Sequence, residues 1–183
     1  HLPEHQVEIG RILARLGNLH RHLGYYDKAK ELIEKSLAIY KTYLPENHVA
    51  FAWAFAHLGN IYRMRNNPRK AKEIIEKSLK IYKKNLPEHY LEVTRARWYL
   101  ANTLIDLGNY ENAKATLEEC LQIYNKNYGE THIEPARILH SLGRVYLAQS
   151  NFDIAENYFI RALDAFQKSL HPDRNIILED LSL

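Results

Sequence analysis

The chain has 183 residues, with 25 lysines and arginines against 22 acidic residues, a net charge of +3 and one cysteine. That charge is too small to predict nucleic-acid binding by itself, and one cysteine permits no disulfide framework. No apolar run approaches the ~20 residues that cross a bilayer and no signal peptide is visible, so a cytoplasmic location without membrane contact is expected.

The chain opens HLPEHQVEIG with no methionine, and Leu2-Pro3-Glu4 falls 42 residues before Leu44-Pro45-Glu46. It is therefore expected to begin inside the loop of a preceding repeat, as a piece of a longer protein. A first helix is predicted over Glu4–His22, with Ile12, Leu13, Leu16, Leu19 and Leu23 as its buried stripe at i, i+3/i+4 spacing. Gly24 stops it, because a helix C-terminus commonly needs a left-handed residue. A second helix follows with Ala29, Ile33, Leu37 and Tyr40 on one face, ending in the loop LPENH.

This pair recurs. Equivalent segments start at Leu16, Leu58, Leu100 and Leu142, each 42 residues apart with no insertion. A fixed period in the range of about 20–50 residues means stacked repeats. The repeats are 5–46, 47–88, 89–130 and 131–172, a single array, with 173–183 (DRNIILEDLSL) as a short apolar C-terminal cap. The later first helices are predicted at Asn47–Met64, His89–Asp106 and Thr131–Ala148. They are stopped by Asn66, Gly108 and Ser150, of which Ser150 is the poorer choice. Asn67, Asn109 and Asn151 are placed to cap the second helices, and His48 and His132 to serve first-helix starts. The small residues Ala29, Ala71, Ala113 and Ala155, beside Gly17, Gly59, Ala101 and Gly143, predict close approach of the two helices of a pair. Cys120 stands where Ser36, Ser78 and Ala162 stand, a small buried side chain. The series Tyr40, Tyr82, Tyr124, Phe166 reads as packing.

Leu58, Gly59, Tyr62, Ala71, Ile75 and Ser78, and likewise Leu142, Gly143, Tyr146, Phe152, Ala155, Phe159 and Ala162, resemble the tetratricopeptide repeat signature. The longer helices and the LPE-x-H loop are similar to the 42-residue variant of kinesin light chains and of the sensor regions of bacterial signalling NTPases. The resemblance implies an all-α, right-handed superhelical array of four antiparallel helix pairs. It also implies a concave groove, lined by the first helices, that receives a peptide or a partner's helix.

On each first helix a second stripe faces away from the second helix of its own repeat. It comprises Arg11, Ala14, Asn18, Arg21; Trp53, Ala56, Asn60, Arg63; Arg95, Trp98, Asn102, Ile105; and Arg137, His140, Arg144, Leu147. Six arginines and no carboxylate lie on it, while Glu31, Glu34, Glu73, Glu76, Glu118 and Glu119 sit on the second helices. Guanidinium forks suit carboxylates, carboxamides suit a peptide backbone, and Trp53 and Trp98 offer apolar anchors. The expectation is a non-catalytic scaffold whose groove takes an extended acidic peptide or protein segment, with no cofactor, metal or nucleic acid. The alternative is a regulatory or self-associating array whose groove is filled by its own chain. His20 and His22, two apart on a helix, cannot share a metal, and no HExxH, phosphate loop or nucleophile elbow appears.

Overall fold

A computed structural model describes residues 2–88 and 90–170 and contains, among them, eight helices and no strand. These are α1 (Leu2–His22), α2 (Tyr26–Tyr43), α3 (Val49–Met64), α4 (Pro68–Asn85), α5 (Leu91–Asp106), α6 (Tyr110–Tyr128), α7 (Ile133–Ala148) and α8 (Phe152–Leu170). The expected C-terminal cap, 173–183, lies outside the described residues.

The helices fall into two compact units, His1–Leu107 with α1–α5 and Gly108–Leu183 with α6–α8. The border lies inside the third 42-residue repeat. In the first unit α1 packs on α2, α3 on α4, and each second helix on the first helix that follows. Contacts of α1 with α3 and of α3 with α5 place the three first helices in one layer, with α2 and α4 in the other. In the second unit α7 packs on both α6 and α8.

The helix ends follow the local chemistry. Gly24, Asn66, Gly108 and Ser150 all take positive φ at the predicted stops. α3 and α7 begin two residues later than periodicity suggests, because His48 and His132 are extended caps. Their Nδ1 atoms accept from the N–H groups of Ala50 and Glu134, each at 3.2 Å. Asn67 Oδ1 accepts from the Lys70 N–H at 3.2 Å, with Pro68 in the first turn. Asn109, expected to do the same for α6, makes no such bond, since its Oδ1 instead accepts from the Asn112 side chain at 2.9 Å. Asn67→Ala should therefore cost about 1 kcal/mol in urea unfolding, and Asn109→Ala less than about half of that. Equal losses would show that both caps act through backbone conformation alone.

The core of the first unit holds Ile33, Tyr40, Phe51, Ile61, Ile75, Tyr82, Val93 and Tyr99. In the second, Leu117, Cys120, Ile138, Leu142 and Val145 are fully buried, and Tyr124 with them. Ser78 Oγ donates to the Ala52 carbonyl across the α3–α4 pair at 2.6 Å, in the buried interior. The small-residue contacts are as tight as predicted. A Cβ added to Gly17 would stand 3.0 Å from the Ala29 oxygen. One on Gly59 would stand 3.1 Å from the Ala71 oxygen and overlap Ile75. At Gly143 the nearest atoms are those of the Phe159 ring, which stands where the first two repeats carry Ile33 and Ile75.

One expectation fails. The apolar stripe of α1 is not core: Leu16, Leu19 and Leu23 are 40%, 54% and 58% exposed, Ile12 is exposed too, and Leu13 is half-buried. Their equivalents Leu58 and Ile61 are buried because α2 packs against α3. No described helix takes that place before α1, so the residues of α1 that are buried among the described ones are Gly10, Ala14 and Gly17, which turn toward the rest of the unit.

Candidate binding surface

The α1–α3–α5 layer of the first unit carries three of the four predicted stripes. Residues three and four apart share a helix face, so each arginine, tryptophan and asparagine of a stripe is held in line by its own helix. Across the layer, Arg11, Arg15, Trp53 and Glu92 border a hollow of about 370 Å3 walled by Ala14, Tyr40, Val49, Tyr82, Leu86 and Tyr90. Trp53 also borders a narrow crevice with Ala56, His57, Arg95 and Tyr99. Arg11, Trp53 and Arg95 are thus brought together. Trp98 is not part of either hollow. It is half-buried against the core, its ring centroid 5.3 Å from that of Tyr99.

The stripe is less bare than its sequence suggests. Arg11 pairs with Glu8 at 2.7 Å, and Arg63 with Asp106 at 3.2 Å, the latter a well-covered pair bridging α3 and α5. Long side chains reach carboxylates just off their own row, so counting charges along one row missed these partners. The asparagines are also engaged. Asn18 Oδ1 accepts from Arg21 Nε and Nη2 at 3.0 and 2.9 Å, and Asn60 Oδ1 from Arg63 Nε at 3.2 Å. Asn102 Nδ2 donates to the Trp98 carbonyl at 2.9 Å, and Asn60 and Asn102 are buried. The asparagine row therefore orients guanidiniums and backbone before it can meet a ligand.

The hollow's arginine rim includes Arg15, which sequence reasoning passed over. It stands four residues from Arg11, hence on the same helix face, and has no ion pair among the described residues. His57 was also missed. It is buried, its ring centroid is 4.0 Å from Trp53 and 5.6 Å from Tyr99 edge-on, and its Nδ1 has no hydrogen-bond partner among the described residues. Burial first, and then the charges of Arg21, Arg95 and His22, hold its pKa well below the usual histidine value. Positions 15 and 57 are equivalent in the repeat, one row beside the predicted stripe; that spacing was the available signal.

The fourth stripe belongs to the second unit. Arg137 lies 3.9 Å from Glu134, and the His140 ring centroid is 5.6 Å from that of Phe159. Burial, and then Arg144, lower the His140 pKa, so this ring is neutral at pH 7. On the outer helices Glu31 bonds Lys28 and Lys35, and Glu73 bonds Lys70 and Lys77, which neutralises much of the acidic layer locally. No group of three His, Cys, Asp or Glu side chains among the described residues could hold a metal ion. None of the described helices is long and apolar enough to cross a membrane.

The tetratricopeptide repeat pattern matches residues 8–84 and 92–168. Comparison with curated protein sequences gives no match. Among solved structures the chain is similar to BtubC (BKLC) from P. vanneervenii, at 24% identity and TM-score 0.69 over 91% of this chain and 71% of that one. It is also similar to the apo form of RapI, at 20% identity and TM-score 0.71 over 89% of this chain and 57% of that one. Aspartyl phosphate phosphatase F from Bacillus subtilis gives 16% identity and TM-score 0.70 over 92% and 43%. The chain thus spans a little over half of RapI and less than half of the phosphatase. At these identities the likeness is one of fold.

Proposed function

Because the chain belongs to the tetratricopeptide repeat family, whose members serve as protein-interaction scaffolds, we propose that its first unit binds an extended acidic protein segment along the α1–α3–α5 layer. The observation that carries this reading is the hollow beside Trp53. Its wall is aromatic and aliphatic, of a size for one large apolar side chain, while Arg11 and Arg15 stand at its rim. A ligand with leucine or an aromatic residue next to Asp or Glu satisfies both features. The apolar group is desolvated against Trp53 and Tyr82, and the carboxylate meets a guanidinium fork. Arg95 extends the basic edge along α5, whereas Arg63, already held by Asp106 and Asn60, serves mainly to fix the layer. The second unit, taken by itself, carries Arg137, His140 and Arg144 on α7.

An array of acidic peptides, each with a single Leu, Phe or Trp, tests this with the intact chain. Against the tightest peptide, Arg11→Ser with Arg15→Ser should weaken binding about tenfold, since a shielded charge-assisted bond contributes roughly 1.5–3 kcal/mol and an exposed one less. Slower association and a flatter salt dependence should accompany the loss. Trp53→Ala should speed dissociation and leave the salt dependence unchanged. If the double arginine variant binds as tightly as the parent at low salt, the surface is not the site.

A further inference from the structure

The rim of the hollow beside Trp53 carries both signs of charge. Arg11 and Arg15 stand on its α1 side. Glu92, in the first turn of α5, is the one carboxylate among the described residues that border it. An acidic residue in a first helical turn is common, because the helix dipole favours it, so its position alone says little. Its pairing says more. Glu8 and Glu134 occupy the equivalent places in α1 and α7, and each is held by the arginine three residues on, Arg11 at 2.7 Å and Arg137 at 3.9 Å. Glu92 has Arg95 at the same spacing, yet it is exposed and makes no ion pair among the described residues. The equivalent residue of α3 is Ala50, which borders the same hollow and brings no charge to it.

We propose that Glu92 sets the specificity of this surface, so that its ligand carries lysine or arginine on one side of the apolar anchor and Asp or Glu on the other. This rests on the reading of the hollow as the binding site and adds the sign of the second flank. The cation of the ligand donates to the Glu92 carboxylate, while the ligand's own carboxylate accepts from Arg11 or Arg15. A segment acidic on both flanks meets Glu92 with like charge, so the rim rejects as well as selects. Tyr82, which borders the hollow beside Glu92, does not add a second anion. Burial first, and then the charge of Glu92, raise its pKa, and its phenol stays neutral.

Peptides with a central Phe, Asp on one side and Lys, Gln or Glu on the other decide the matter. They are made in both sequence orders and titrated by fluorescence anisotropy against the intact chain at pH 7 and low salt. In one order the Lys peptide should bind about threefold tighter than the Gln peptide and about tenfold tighter than the Glu peptide, the range open to an exposed charge pair. Glu92→Gln should bring the three within about twofold of one another, and Glu92→Lys should reverse their order. Both substitutions fall at an exposed position, so the fold is retained, which a thermal melt of each variant verifies. If the parent binds the Lys, Gln and Glu peptides alike, or its preference survives Glu92→Gln, this inference is overturned while the hollow stands as the site. If none of the peptides binds, or Arg11→Ser with Arg15→Ser binds them all as the parent does, the hollow is not the site and the inference falls with it.

Discussion

Ala71→Leu is expected to lower the unfolding free energy by about 3 kcal/mol, the upper end of what overpacking a close helix contact costs. Ala71 is fully buried at the point where α4 crosses Gly59 of α3, and its carbonyl oxygen is already 3.1 Å from where a Gly59 Cβ would be. Three more heavy atoms can be placed only by separating the two helices, which would also strain the Ser78–Ala52 hydrogen bond on the same pair. The neighbouring Lys72→Leu is the control. Lys72 is half-exposed and loses only its 3.1 Å pair with Glu76, itself about half-exposed, so the change should stay within about 0.5 kcal/mol. In thermal melts of a chain this size the difference appears as a midpoint roughly 6–12 °C lower for Ala71→Leu. Equal midpoints would mean that position 71 does not face α3.

That contact was legible in the sequence because it repeats. A small residue at one place in every 42-residue period is explained only by a neighbour that every period supplies. The helix stops at Gly24, Asn66, Gly108 and Ser150 were legible for the same reason, and even serine takes the left-handed conformation when the repeat imposes it. What the period could not supply is whatever differs between copies. Four of the five positions of the α1 apolar stripe have apolar counterparts in α3 (Ala54, Phe55, Leu58, Ile61), yet the stripe is largely exposed, because burial depends on the helix before it and not on the stripe. The binding layer was legible as a row of residue types, but not as a set of partners. Glu8 and Asp106 reach the arginines from adjacent rows, and Asn109 accepts from the Asn112 side chain rather than from a backbone N–H of the first turn of α6. Side chains four to six bonds long choose among several neighbours by local geometry, which spacing along one helix does not encode.

His57 gives the second large effect, as a dependence of stability on pH. Its ring lies between Trp53 and Tyr99, with Tyr82, Glu92 and Arg95 bordering the same crevice and Arg21 and His22 acting on it from α1. Desolvation, reinforced by the two guanidiniums, depresses its pKa in the folded chain well below 6.5. The unfolded chain then takes up this proton first as the pH falls. The stabilisation due to His57 is therefore complete above about pH 6.5 and is lost below it, at about 1.4 kcal/mol per pH unit until the folded-state pKa is reached. The carboxylates lie in a different window. Glu31 and Glu73, held down to about 2 by their lysine partners, are exposed and lose their contribution only as the pH falls below about 4.5. His140, lowered by burial and Arg144, adds a share in the same range as His57 and must be subtracted. His57→Phe achieves this, since it keeps a ring between Trp53 and Tyr99, cannot titrate and leaves His140 untouched. Urea unfolding from pH 7.5 to 5 should show a fall below about pH 6.5 for the parent and a shallower one for His57→Phe, the difference reaching at most about 1.4 kcal/mol per unit. Parallel curves for the two proteins would show that water reaches His57 and that the crevice beside Trp53 opens in solution.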